Sequence, residues 1–173
     1  SNKRQIKKPK GAVRFVGLAS YTTPEVKEQK NRDWVEFGAD NNYFQYLIDR
    51  YNGSPTNNAA INGISQMIYG RGIDATDSNI KPEQYAMMRR ILSDSCVMKL
   101  ANDLKLFGQA AIQVIYNAER SAIVEADHFP IETLRPEKCN EDGDIEAYYY
   151  TGDWSELKPS EQPERIPAFG FSE

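Results

Sequence analysis

The spacing of apolar residues predicts a first helix between residues 40 and 53. Its apolar positions share an arc of about 140° on a helical wheel, which is typical of a helix packed along one face: Tyr43, Phe44, Leu47, Ile48 and Tyr51. Asp40 is the expected N-cap, because its carboxylate can accept a hydrogen bond from a backbone N–H of the first turn. Asn52-Gly53 marks the end of the helix.

A second helix is predicted directly after the first. Ser54-Pro55 combines a capping serine with a proline at the first helical position, where the missing N–H does no harm. The predicted packed face spans about 120° and contains Ala60, Ile61, Ile64, Met67 and Ile68. Gly70 and Gly72 are the expected end. The Asn-Gly-Ser-Pro junction therefore indicates a tight corner between two helices.

The stretch from Pro82 to Phe107 carries two apolar faces that are rotated by about 120° relative to each other. The first face contains Tyr85, Met88, Ile91 and Leu92, and the second contains Cys96, Val97, Leu100, Ala101, Leu104 and Phe107. A single straight helix cannot direct both faces at one core. We therefore predict a break at Ser93-Asp94-Ser95, whose side chains can cap a new helix, and an end at Gly108.

After Gly108 the apolar period changes from about 3.6 to 2, which predicts strands. The expected strands are Ala110 to Tyr116, Ala122 to Asp127, Ile145 to Thr151 and Arg165 to Phe169. Asp142-Gly143 is a strong hairpin signal, while Pro130 and Pro136 are expected to interrupt pairing. The polar stretch from Asp153 to Glu164 is expected to be a loop.

The order of elements predicts an α+β fold, with an N-terminal extended arm and helices followed by an antiparallel β-hairpin/meander sheet. We divide the chain into residues 1–33, a basic arm with an extended segment, and residues 34–173, an α+β domain. Within the arm, Ala12 to Leu18 is a short strand or extended segment, and a polar stretch continues to Asp33. Trp34 to Gly38 is a small amphipathic piece that leads into the first helix.

Charge limits the partners that this chain could bind. The 173 residues carry a net charge of −4, whereas proteins that hold DNA through its phosphates are usually basic. The basic residues of the arm are Lys3, Arg4, Lys7, Lys8 and Lys10. They are either a solvated arm or a contact to nucleic acid or a neighbouring subunit. No apolar run approaches the roughly 18 residues that a membrane span requires, so no membrane partner is expected.

A search for catalytic and cofactor motifs finds none of the usual glycine-rich phosphate loops, nucleophile elbows or zinc signatures. Cys139 and His128 are a weak nucleophile-and-base pair, because a loop cysteine without an orienting group is usually not reactive. The two cysteines, Cys96 and Cys139, have no zinc spacing and are expected to be reduced. We expect no enzyme activity, no cofactor and no metal.

Two further clusters have a structural and a functional interpretation. The acidic residues near the turns could hold a cation but lack calcium-loop spacing, so a solvated cluster is favoured: Asp127, Glu132, Glu141, Asp142 and Asp144. Tyr148, Tyr149 and Tyr150 place two rings on one face of a strand and one on the other. They could stack on bases, but their acidic neighbours favour core packing on one face and a subunit contact on the other.

Several segments resemble the portal proteins of tailed bacteriophages, in particular those of phages and prophages of Bacteroides-type bacteria. The resemblance is carried by residues 34–43 (WVEFGADNNY), 51–55 (YNGSP), 58–65 (NAAINGIS) and 69–73 (YGRGI). It continues through residues 101–111 (ANDLKLFGQAA), Phe129-Pro130, Leu134-Arg135-Pro136, Asp142-Gly143 and Tyr148-Tyr149-Tyr150. These segments cover roughly residues 30 to 155 and contain no catalytic fingerprint.

The resemblance implies a structural subunit of the ring at one capsid vertex, the head-to-tail connector through which double-stranded DNA is packaged and ejected. Implied partners are further copies of the chain, the terminase, capsid or scaffold proteins, neck or tail proteins, and the passing DNA. The implied locations are the virion and, during assembly, the cytoplasm of the host. Portal subunits usually exceed twice this length, so we expect an N-terminal wing-type portion that lacks the stem and channel helices. The alternative is a stand-alone adaptor module of a phage or mobile element.

Overall fold

The computed structural model describes residues 25–158 and 160–171, and within them the chain has the predicted α+β fold. Four helices precede most of the strands: α1 (Tyr43–Gly53), α2 (Pro55–Tyr69), α3 (Pro82–Ile91) and α4 (Asp94–Phe107). The strands are β1 (Val26–Glu28), β2 (Val35–Phe37), β3 (Ala111–Tyr116), β4 (Ile123–Phe129), β5 (Leu134–Pro136), β6 (Ala147–Tyr150) and β7 (Glu164–Pro167). The predicted strand or extended segment Ala12 to Leu18 lies outside the described residues.

The helix boundaries follow local capping signals in two of the four helices, α2 and α4. Ser54 Oγ accepts a hydrogen bond from Asn57 N at the start of α2, and Ser93 Oγ accepts one from Cys96 N at the start of α4. Gly108 adopts a left-handed conformation at the end of α4. The predicted break between α3 and α4 is therefore confirmed, and its cause is the serine cap that restarts the helix.

The predicted start of α1 is wrong. The helix begins at Tyr43 after Asn42, and Asp40 lies in a short 3₁₀ turn with a positive φ of 56°. Asn41 also has a positive φ, of 59°. Because two successive residues are left-handed, the chain reverses before it enters the helix, and Asp40 cannot act as the N-cap.

The packed face of α2 differs from the predicted one. Met67 and Ile68 are exposed, whereas Ser65 is 2% exposed and Asn62 is half-buried. Hydrogen bonds explain the rotation: Tyr51 Oη of α1 donates to Asn62 Oδ1 at 2.8 Å, and Ser65 Oγ donates to Asn102 Oδ1 of α4 at 3.3 Å. A polar contact with α1 and α4 therefore sets the orientation of α2.

The face of α4 also departs from its apolar pattern at two positions. Cys96 and Ala101 are buried as predicted, but Leu104 is half exposed and Asp103 is buried. Asp103 is covered because it forms a hydrogen bond with His128 in β4. A buried polar pair thus takes the position that the pattern assigns to leucine.

The strands form three antiparallel sheets: β1–β2, β3–β4 and β5–β6–β7. The predicted hairpin and meander are both present, as two separate sheets. The sequence pattern does not predict β1, whose Glu28 pairs with Val35 of β2. Pro136, expected to interrupt pairing, pairs with Tyr148 at the end of β5. A proline is tolerated there because β5 is an edge strand.

The core lies where β2, α1 and α4 meet the three-stranded sheet. Phe44 of α1 packs edge-on against Phe37 of β2 and Phe107 of α4, with both ring centroids at 5.4 Å. Buried hydrophobic residues from the sheet side complete it: Trp34, Ile131, Leu134, Ala147 and Tyr149. None of the helices in the described ranges is both long and apolar enough to cross a bilayer.

Candidate subunit interface

A buried arginine joins two distant segments of the chain. Arg135 of β5 is 2% exposed, and its Nε donates to Asn41 Oδ1 at 2.5 Å while its Nη2 donates to Asn41 O at 3.1 Å. Its Nη1 donates to the carbonyl oxygens of Glu132 and Leu134 at 2.9 and 2.7 Å. These four acceptors satisfy most of the guanidinium donors, which is what a buried arginine requires.

Aromatic rings enclose the same guanidinium. Its central carbon lies 4.7 Å from the centroid of Phe44 and 4.9 Å from that of Trp154. Burial lowers the pKa of Arg135 to about 10, and the nearby carboxylates of Glu36 and Glu132 partly offset that effect. The arginine therefore stays charged at neutral pH and acts as a cation–π and hydrogen-bonding centre for the fold.

The positive φ of Asn41 has a structural purpose. In that conformation Asn41 Oδ1 accepts from both Phe37 N, at 3.2 Å, and Arg135 Nε. Asparagine tolerates the left-handed region better than most residues. The tight turn before α1 thus presents its amide oxygen to a side chain 94 residues later in the chain.

Tyr149 is part of the core of this chain. Its ring lies 5.4 Å from the ring of Trp34, and its hydroxyl donates to Glu137 Oε1 at 3.3 Å. Burial, followed by the charges of Glu137 and Asp33, raises the pKa of the Tyr149 phenol. Glu137 also accepts two hydrogen bonds of 2.8 Å from Arg165 of β7. These contacts tie the three strands of the sheet together.

Tyr148 and Tyr150 are half-buried and alternate with the buried Ala147 and Tyr149 along β6. The ring of Tyr150 packs edge-on against Phe129 of β4 at 5.5 Å, which links the sheet to the β3–β4 hairpin. Tyr148 lines a groove between these two sheets. The predicted subunit contact of the three tyrosines remains a prediction, and within this chain Tyr149 is already covered.

The groove beside Tyr148 is a mainly apolar feature of the surface of the described residues. It has a volume of about 1000 Å³. Apolar side chains dominate its lining, including Ile112, Tyr116, Ile145, Ile166 and Phe169, and Arg120 is the one charged residue among them. Phe169 is 71% exposed, and Phe171 is also exposed at the rim. Apolar surface of this kind is typical of a protein–protein contact.

A second, polar cleft of about 370 Å³ lies between the β1–β2 hairpin and the loop after β6. Four of its seven charged side chains pair with each other. Arg32 forms an ion pair with Glu36, and Lys158 forms one with Glu161 at 3.6 Å. The three positive and four negative side chains of the lining leave a net charge of only −1, so charge does not single out one class of ligand.

The residues considered for chemistry do not come together as a catalytic site. His128 Nε2 lies 2.6 Å from Asp103 Oδ2, and both side chains are largely buried. Burial raises the pKa of Asp103, and the hydrogen bond with His128 opposes that effect. Cys139 is exposed, and Cys96 is buried with a thiol pKa that burial raises. The contact between His128 and Asp103 holds α4 against β4.

The acidic residues near the turns are mostly exposed: Asp127, Glu141, Asp142 and Asp144 lie at the surface, and Glu132 is half-buried. In residues 25–158 and 160–171, no group of three His, Cys, Asp or Glu side chains is placed to hold a metal ion. The basic residues Lys3, Arg4, Lys7, Lys8 and Lys10 lie outside the described residues, so their predicted contacts stay predictions.

Sequence reasoning missed Arg135 and the groove. No local pattern marks Arg135 as buried, because its partner Asn41 is far away in sequence. The groove depends on the gap between two sheets, and the only local signal for it is the apolar, uncharged composition of β3. Comparison with family models, with curated proteins and with solved structures gives no match to this chain.

Proposed function

We propose that this chain is a structural subunit of a phage-type portal ring, the homo-oligomer at the capsid vertex through which double-stranded DNA is packaged and ejected. The observation that carries the oligomeric part of the proposal is the apolar groove between the β3–β4 hairpin and the three-stranded sheet. The resemblance of residues 30 to 155 to portal proteins is the reason for proposing a portal ring as this oligomer.

The Arg135–Asn41 contact is consistent with this proposal. Two of the segments that carry the resemblance, residues 34–43 and Leu134-Arg135-Pro136, meet at this buried hydrogen bond. Because these two segments contact each other, a single type of domain accounts for the presence of both. In this proposal the ring docks the terminase, scaffold or capsid proteins and the neck or tail, and is located in the virion.

The groove also supports a structural role for this chain. A ring subunit needs a surface that is incomplete until a neighbouring copy covers it. In the described part of the chain, the exposed aromatic residues Phe169 and Phe171 lie at the edge of such a surface. Ring closure would bury these side chains, and the free energy gained would scale with the apolar area removed from water.

The deciding experiment is electron cryo-microscopy of the product of the whole reading frame that contains these residues, purified from the host. The proposal expects a ring with an axial channel wide enough for duplex DNA. Monomers or dimers under all conditions would overturn it and favour the adaptor alternative.

A matched pair of variants tests the groove itself. Phe169→Glu places a charge at the rim of the groove, and Met67→Glu places one on α2 at nearly the same exposure, 74% against 71%. We expect Phe169→Glu to reduce the yield of rings at least tenfold, while Met67→Glu retains them. Equal ring yields from the two variants would show that the groove is not part of the ring interface.

A further inference from the structure

The β3–β4 hairpin has one open edge. Within the described ranges, no strand pairs with the side of β3 that faces away from β4. β4 is supported by α3 and α4, and Leu92 after α3 bridges to Ala126. An isolated two-stranded hairpin is only marginally stable in water. A third strand beside β3 would therefore complete the unit.

The composition of β3 distinguishes it from the other strands with an open side. Folded proteins usually protect exposed strand edges with charged residues or proline, and three other strands with an open side in the described chain do so: Lys27 and Glu28 in β1, Pro136 in β5, and Arg165 and Pro167 in β7. β3 reads Ala-Ile-Gln-Val-Ile-Tyr and has neither. Its edge is thus open to strand addition.

We propose that β3 pairs antiparallel with β3 of a second copy of this chain, which gives a two-fold pair. The argument for a second copy is that β3 is uncharged, so a second β3 brings no charged residue to the contact. In the register that overlaps all six residues, Ile112 faces Ile115, Gln113 faces Val114 and Ala111 faces Tyr116 of the other copy. No charged residue meets another, whereas β1, β4 or β7 as the added strand would bring charged residues or a proline to the contact.

The pair goes beyond the proposed portal function and does not depend on it. A cyclic ring is built from head-to-tail contacts, whereas the β3 pair is two-fold and closes at two copies. Six-residue strands cover an area below that of standard stable interfaces. The pair is therefore weak and reversible.

The test compares Ile115→Lys with Val124→Lys in the 173-residue chain. Ile115 is 38% exposed in β3, Val124 is 44% exposed in β4, and both lie outside the lining of the groove. Sedimentation equilibrium up to millimolar concentration measures self-association, and amide hydrogen exchange locates it. Circular dichroism confirms that both variants fold.

We expect the wild-type mass to rise from 19.7 kDa towards twice that value, with slower exchange in β3. Ile115→Lys should weaken association at least tenfold, and Val124→Lys less than twofold. A chain that stays monomeric, equal effects of the two variants, or protection that maps away from β3 would each overturn the pair. If the whole gene product forms rings but the 173-residue chain stays monomeric, the pair is refuted and the portal proposal stands. If the chain forms the β3 pair but the whole gene product forms no rings, the portal proposal is refuted and the pair stands.

Discussion

Arg135 Nε donates to Asn41 Oδ1 at 2.5 Å, and this bond joins the turn before α1 to the strand β5. Arg135 is 2% exposed and Asn41 is buried as well. The bond fixes the β1–β2 hairpin and α1 relative to the three-stranded sheet, whose outer face lines the groove. The geometry of the candidate interface therefore depends on a contact between residues 94 positions apart.

Replacing this arginine should be costly. Arg135→Met keeps an unbranched side chain but removes the donors for Asn41, Glu132 and Leu134, and takes one of two nearby cations from the buried Glu36, which keeps Arg32. Breaking such a buried polar network typically costs about 3 kcal/mol or more. Urea unfolding should show a loss of that size in the free energy of unfolding.

Arg165→Met is the matched control for this change. Arg165 is almost half exposed and its contact with Glu137 lies at the surface, so its loss should have a clearly smaller effect. Comparable losses for the two variants would show that Arg135 is not the centre of the fold.

Acid should weaken the sheet through Glu137. The hydrogen bonds from Arg165 lower the pKa of Glu137 below its usual value. A carboxyl group with a lowered pKa stabilises the folded state above its unfolded pKa of 4.5, and that contribution is lost as pH falls through the lower folded value. Glu137→Gln should thus lower the melting temperature at pH 7, and the difference from wild type should shrink towards pH 3. A difference that is constant with pH would contradict this assignment.

Two glycines should respond to alanine with opposite signs. Gly63 lies inside α2 and a Cβ there would meet open space, so Gly63→Ala should stabilise the chain by about 0.5–1 kcal/mol. Gly108 ends α4 with a φ of 77°, also in open space, so Gly108→Ala should destabilise it by about 1 kcal/mol because alanine is strained in the left-handed region. Thermal unfolding of both variants measures the two effects, and the same sign for both would refute the helix boundaries.

The chain should bind duplex DNA poorly at physiological salt, because its net charge is −4. Changing Lys3, Arg4, Lys7, Lys8 and Lys10 to Gln should therefore alter DNA affinity little. Fluorescence anisotropy over a range of salt concentrations measures the affinity and its salt slope. A sub-micromolar affinity with a steep salt slope that is lost in the variant with all five substitutions would assign DNA binding to the basic arm.

The sequence by itself determined the features that depend on neighbouring residues. The serine caps at Ser54 and Ser93, the break between α3 and α4, the glycine end of α4 and the α+β order follow from capping chemistry and apolar period. These signals act within about four residues, so they hold whatever the surrounding fold. The resemblance to portal proteins also comes from the sequence, and stays a proposal.

Only the tertiary structure decided the features that depend on distant partners. The rotation of α2 follows from Asn62 and Ser65, whose polar partners include Tyr51 and Asn102 on neighbouring helices. Arg135 is buried because Asn41 reaches it from 94 residues away, and Asp103 is buried because His128 does. Apolar periodicity cannot predict these positions, since a polar side chain is buried only where a partner replaces its bonds to water. The groove and the open edge of β3 likewise arise from how two sheets are placed, and the composition of β3 is the only local signal for them.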